Sequence, residues 1–82
     1  GDTIEHLSMD DRFSLCNMAI EAGAKSGIIA VDDVTREFLA DKELAREPKF
    51  HHSDPDAEYC RVIEIDVSKL EPVIAYPHLP SN

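Results

Sequence analysis

The sequence has few cysteines, few basic residues and no long apolar run, and each shortage excludes a class of protein. Its two cysteines, Cys16 and Cys60, make neither a disulfide framework nor a zinc motif. It has 8 Lys and Arg residues against 17 Asp and Glu residues, and a net charge of −9 repels nucleic acid. No run approaches the ~20 apolar residues of a membrane span, and no signal peptide is visible. We therefore predict no nucleic-acid partner, no membrane association and a cytoplasmic location.

The remaining composition is typical of one small globular domain. The chain has 82 residues, of which 43% are apolar and 30% are charged. It begins with Gly1 rather than Met and stops soon after an apolar run. We therefore expect residues 1–82 to form a single partial domain, an internal fragment of a longer protein.

The first half of the chain opens with the signals of a helix. Ser8 is a suitable N-cap, and Asp11 stands three residues later, as in a capping box. Gly23 is a suitable C-terminal stop. These signals predict a first helix over about residues 9–22.

Strand and helix signals alternate along the rest of the chain. A β-branched run at 27–31 predicts a buried strand, and a second helix is expected from Asp32 or Asp33 to about Lys42. Residues 43–55 are polar and proline-containing, which predicts a loop. Two further strands are predicted at 59–67 and 72–76. The order α-β-α-loop-β-β predicts a partial α/β layered domain. The apolar face of the second helix is formed by Val34, Phe38 and Leu39.

A polar ridge runs along the predicted first helix between two apolar sides. At about 100° per residue, the ridge contains Asp10, Ser14, Asn17 and Glu21. Its apolar flanks predict packing on both sides of the helix. The pattern alone favours a solvated edge for the ridge. The alternative is that Asn17 and Glu21 face a cleft as a paired amide and carboxylate.

Two stretches of the chain resemble the aconitase family. Residues 8–35 contain S-M-D-D-R, then C-N-M-A-I-E-A-G-A and an Asp-led helix, and residues 53–82 contain S-D-P-D-A-E-Y followed by L-E-P. The resemblance covers nearly the whole chain, and it is greatest to the large subunits of the 3-isopropylmalate dehydratase, homoaconitase and 2,3-dimethylmalate dehydratase type. It implies a piece of an aconitase-like large-subunit domain, in a [4Fe–4S] hydro-lyase that dehydrates and rehydrates a hydroxy di- or tricarboxylic acid.

The resemblance also implies the roles of two residues of the polar ridge. Asn17 would be catalytic and lie beside the cluster, and Glu21 would be catalytic and reach the bound water or hydroxyl. The same resemblance implies a small subunit, or swivelling domain, as the partner. The three cysteine ligands of the cluster, the catalytic serine and the substrate-binding arginines of the family are absent from this chain. The chain alone is therefore expected to be inactive, with Cys16 and Cys60 as packed thiols.

Other functions stay open on the sequence alone. The runner-up is a non-catalytic α/β interaction module or degenerate remnant. A metal site at His51, His52 and Asp54 is weaker, because adjacent histidines point apart and no third well-spaced ligand follows. Arg12 is predicted to pair with an acidic neighbour rather than bind a substrate. Which hydroxy acid is the substrate does not follow from these residues.

Overall fold

A computed structural model describes all 82 residues and contains three short helices. These are α1 (Asp2–Glu5), α2 (Met9–Asn17) and α3 (Asp33–Ala40). No residue lies in a β-strand, so the predicted α/β layered fold is wrong. None of the helices has the length and apolar character needed to cross a membrane.

The three predicted strands fail because none of them has a pairing partner. The segments 27–31, 59–67 and 72–76 have strand-like composition, but no backbone hydrogen bond joins any one of them to another. A strand is defined by the ladder of hydrogen bonds to a neighbouring strand. Alternating side chains select which face of a strand is apolar, but they do not supply that neighbour. All three segments are therefore irregular.

Helix α2 begins where the sequence predicts. The Ser8 Oγ accepts a hydrogen bond from the Asp11 backbone N–H at 3.2 Å, which makes Ser8 the N-cap. The Ser8 hydroxyl in turn donates to Asp11 Oδ2 at 2.9 Å. The Asp11 carboxylate thus bonds the cap side chain rather than the cap backbone N–H of a standard capping box.

The regular part of α2 ends sooner than predicted, although Gly23 does end the helical path. Residues 18–23 form turns rather than continuing the helix to residue 22. Gly23 has φ +89°, its N–H donates to the Ile20 carbonyl, and the Ala24 N–H donates to the Ala19 carbonyl, both at 2.9 Å. These two bonds are those of a Schellman motif, in which glycine takes the left-handed position.

Helix α3 begins where the sequence predicts, and Asp32 is its N-cap. The Asp32 carboxylate accepts a hydrogen bond from the Thr35 backbone N–H at 3.2 Å, and the helix ends at Ala40, two residues before Lys42. The predicted apolar face is confirmed, since its three residues are half-buried: Val34, Phe38 and Leu39.

Helix α2 makes one aromatic contact, and both of its apolar sides stay largely exposed. Its Phe13 ring meets the Phe38 ring of α3 edge to face, with 5.7 Å between ring centroids. Phe13 is nonetheless 53% exposed, and on the other apolar side Leu15 and Met18 are 47% and 53% exposed. Neither apolar side of α2 is therefore closely packed in this chain, and packing on both sides within a longer protein stays a prediction.

The second half of the chain adds no buried residue. Every residue from 43 to 82 is exposed, including large apolar side chains such as Ile74 and Val73. The radius of gyration is 15.5 Å, whereas a compact chain of this length would have about 12 Å. The only buried residue of the whole chain is Arg12.

Candidate functional site

Arg12 organises the part of the chain that carries the predicted site residues. Its side chain is 3% exposed, and all five of its N–H donors have acceptors. Nη1 donates to Asp32 Oδ1 at 2.7 Å and, at a longer 3.5 Å, to Thr35 Oγ1. Nη2 donates to Asp32 Oδ2 at 2.9 Å and to the Glu5 carbonyl at 3.3 Å. Nε donates to the Leu7 carbonyl at 3.1 Å. We call these five residues the Arg12 centre.

The electrostatics of the Arg12 centre keep both charged partners ionised. The hydrogen bond from Arg12 lowers the pKa of Asp32 to about 2, and the Thr35 backbone N–H acts in the same direction. The hydrogen bond to Asp32 likewise raises the pKa of Arg12. A bidentate guanidinium–carboxylate pair is among the strongest hydrogen-bonded pairs in proteins. The prediction that Arg12 pairs with an acidic neighbour is confirmed.

A second contact holds α2 near its C-terminal end. A Cβ placed on Gly27 would lie 3.0 Å from the Cys16 Cα and 3.4 Å from the Ala19 Cβ. Any larger residue would therefore require the segment before α3 to move a few tenths of an ångström away from the α2 backbone. Beside this contact lies a cavity of about 150 Å³. It is lined by Met9, Arg12, Phe13, Cys16, Ile29 and Thr35.

The two predicted site residues lie at the exposed end of this anchored helix. Asn17 is the last residue of α2, and Glu21 lies in the turns that lead to Gly23. Both side chains are exposed, and neither takes part in any of the hydrogen bonds or ion pairs within the chain. Glu21 is therefore near Asn17 along the helical path but outside the regular helix. Their amide and carboxylate are free to bind a ligand.

The residues of this chain do not by themselves fit an iron–sulfur cluster. Such clusters are held by several cysteine thiolates. Here Cys16 is half-buried beside Gly27, and Cys60 is exposed in the second half of the chain. No group of three or more His, Cys, Asp or Glu side chains lies close enough to hold a metal ion, so His51, His52 and Asp54 do not form one.

Sequence reasoning missed most of the Arg12 centre. It predicted an acidic partner, but not that Arg12 would be the one buried residue or that α1 would form. Two of the acceptors are the backbone carbonyls of Glu5 and Leu7. Every residue has such a carbonyl, so no residue type signals its use. The only available signal was Asp32, which serves both as the α3 N-cap and as the partner of Arg12.

Comparison with known proteins assigns the chain to a family. The profile of the Aconitase family (aconitate hydratase) matches residues 1–82. The 3-isopropylmalate dehydratase large subunit of a Nitratiruptor species is 80% identical over 82 residues, and that of Sulfurimonas denitrificans is 71% identical over 82 residues. Each match covers 100% of this chain but 20% of the relative, so the chain spans about a fifth of the relatives' length. No solved structure matches the chain. By the match over its whole length, this chain belongs to the aconitase family.

Proposed function

We propose that the chain is a segment of an aconitase-family hydro-lyase of the 3-isopropylmalate dehydratase type. In this proposal it contributes Asn17 and Glu21 to an active site that removes water from a hydroxy di- or tricarboxylic acid and adds it back. The observation that carries the proposal is the state of these two side chains. Both are exposed and without internal partners, at the end of a helix that is anchored on its other side.

The two side chains have complementary chemistry for a hydroxy acid. The Asn17 amide both donates and accepts hydrogen bonds, so it suits a ligand oxygen that carries or lacks a proton. The Glu21 carboxylate accepts a hydrogen bond from a hydroxyl or a water molecule, and it can exchange a proton with that group. Together they orient the hydroxyl that leaves and the water that returns.

The cofactor and partners of the proposal lie outside the residues described here. Membership of the aconitase family supports a [4Fe–4S] cluster in the parent enzyme, and the words "large subunit" in the relatives' name support a small subunit, or swivelling domain, as the partner. In this proposal Asn17 lies beside the cluster. Because Cys16 and Cys60 do not make a ligand set, other residues would have to hold that cluster. The proposed compartment is the cytoplasm, and the substrate is a small hydroxy acid.

A second candidate function is a non-catalytic interaction module. It is favoured by the large apolar side chains that the second half exposes, among them Ile74 and Val73. Exposed apolar surface of this kind is typical of a surface that another protein covers. Under this alternative the free amide and carboxylate of Asn17 and Glu21 would have no chemical role.

A chimera distinguishes the two functions. The 82 residues would replace the matching segment of the Nitratiruptor relative, which is 80% identical. The chimera would be produced with that organism's small subunit and assayed on 3-isopropylmalate. We expect an active enzyme in which Glu21→Gln lowers kcat by about 100-fold or more, since positioned acid–base groups contribute that much. The matched control is Glu37→Gln, because Glu37 is an exposed carboxylate on α3.

Two outcomes would contradict the proposal. If Glu21→Gln turned over at the rate of the unmodified chimera, Glu21 would have no role in catalysis. If the chimera assembled fully but had no activity, while the unmodified relative was active, the interaction module would be the better account.

A further inference from the structure

We propose that Arg12 and Asp32 are positioning residues for Asn17 and Glu21. The inference rests on the proposed function and assigns a specific task to the Arg12 centre. Neither residue touches the substrate. Their ion pair fixes the rotation and position of α2, and thereby the placement of the amide and the carboxylate at its end.

The Arg12 centre allows α2 a single rotational setting. The acceptors of the Arg12 side chain come from α1, from the link between α1 and α2, and from the N-cap of α3. The fork of the guanidinium is planar and meets both oxygens of Asp32 at 2.7 and 2.9 Å. A rotation of α2 about its axis would break both bonds at once, which a flexible point charge such as Lys would not require.

The Gly27 contact fixes the other end of the helix. It falls on Cys16, one residue before Asn17, and it involves backbone atoms on the α2 side. Backbone atoms cannot move away as a flexible side chain can. The helix is thus held at its first turn by Arg12 and near its last residues by Gly27.

The side of α2 that carries Arg12 faces away from the side that carries Asn17. At about 100° per residue, Asn17 lies about 140° around the helix axis from Arg12. The ion pair can therefore anchor α2 without covering Asn17. A shift of about 1 Å in a catalytic group can cost roughly 100-fold in rate, so the anchoring matters for turnover.

The chain contains a matched control for this ion pair. Arg36 and Asp33 form a single contact at 3.1 Å on the surface of α3, with side chains 47% and 94% exposed. This pair has the same chemistry but joins two residues of the same helix. Its only further contact is that of the Arg36 guanidinium with the exposed Phe50 ring, at 5.7 Å from the ring centroid. Exposed pairs of this kind contribute little.

The test uses the assembled chimera with its small subunit. Arg12→Lys keeps the charge but removes the bidentate geometry. Asp32→Asn keeps an N-cap side chain for α3 but removes the carboxylate. We expect each variant to lower kcat by about 10- to 100-fold with little change in KM, per molecule of assembled enzyme. Arg36→Lys and Asp33→Asn should leave kcat unchanged.

A double-mutant cycle separates positioning from simple stabilisation. If Arg12 acts through Glu21, then Arg12→Lys should lower kcat in the unmodified chimera but have little further effect in the Glu21→Gln background. If Arg12 only stabilises the fold, Arg12→Lys should lower the thermal midpoint of the complex. Its fold-loss in kcat should then multiply with the fold-loss caused by Glu21→Gln. Asp32→Asn serves the same cycle if Arg12→Lys fails to assemble.

The outcomes also separate this inference from the proposed function. The positioning role would be overturned if the losses in kcat multiplied, or if kcat were unchanged in both Arg12→Lys and Asp32→Asn. A large loss of kcat in Glu21→Gln would still support the proposed function in that case. If Glu21→Gln itself were fully active, the proposed function would fail first and the positioning role with it.

Discussion

The two halves of this chain differ in what organises them. Residues 1–42 contain all three helices, and their elements meet at the buried Arg12. Residues 43–82 contain no helix or strand and bury no residue, although they include the clearest alternating apolar pattern in the sequence. The half with the clearest alternation of apolar and polar residues is thus the half without regular secondary structure.

This difference shows which signals a short chain can satisfy by itself. Helix caps need groups only a few residues away, and both Ser8 and Asp32 find them within three residues. A strand needs a partner strand, and this chain does not supply one. Arg12 then joins the helices through polar contacts rather than through an apolar core. The structured half is therefore the half whose interactions are local or depend on a single side chain.

The largest effect is expected from Arg12→Met, which would abolish the difference between the halves. Met has a similar length but no hydrogen-bond donors, so it would leave the Asp32 carboxylate and two backbone carbonyls without their partner. We expect the helical signal in far-ultraviolet circular dichroism to fall to that of an unfolded chain. Ile74→Ser, which changes a 94% exposed residue of the other half, should leave the signal unchanged. Equal losses of helical signal in the two variants would contradict the claim that Arg12 organises only the first half.

Acid should lower the stability of the helical first half, residues 1–42, over a defined range of pH. The pKa of Asp32 is about 2 in the folded chain against an ordinary value of 3.8. Because the folded pKa is the lower one, the ion pair stabilises the fold fully above the ordinary value. That stabilisation is lost as the pH falls toward 2. The measurement is the helical signal as a function of pH. Asp32→Asn should flatten this transition. If the transition were unaltered in that variant, the loss of helical signal in acid would be caused by other carboxylates.

A smaller effect is expected from Gly27→Ala, which would test the second contact on α2. The added methyl would lie 3.0 Å from the Cys16 Cα, so the segment before α3 must move away from the helix. We expect a loss of about 1–3 kcal/mol in the free energy of unfolding, as for overpacked sites. Chemical denaturation monitored by circular dichroism gives this value, and Ala30→Gly in the same segment is a control for chain flexibility. A stability equal to that of the unmodified chain would show that the contact is loose.

Sequence reasoning succeeded where a feature depended on neighbours in the chain. The N-cap at Ser8, the start of α3 at Asp32 or Asp33 and the stop at Gly23 were predicted, because each uses a bond within a few residues. It failed for the strands. The alternation at 59–67 predicts a strand with one apolar face, but no neighbouring strand is present to form backbone hydrogen bonds with it. For the candidate site, Asn17 and Glu21 came from the family motif. Their mutual placement and the burial of Arg12 required the structure.

The proposed roles of Asn17 and Glu21 require that the end of α2 that carries them is organised by the first half of this chain. Amide hydrogen exchange on the 82-residue chain at low concentration measures this directly. The account predicts slowed exchange at Met18, Ala22, Gly23 and Ala24, whose N–H groups donate to backbone carbonyls, and free exchange across residues 60–67, whose N–H groups have no backbone acceptor. It also predicts that Arg12→Lys removes the slowing. Equal exchange in the two segments of the unmodified chain would contradict the claim.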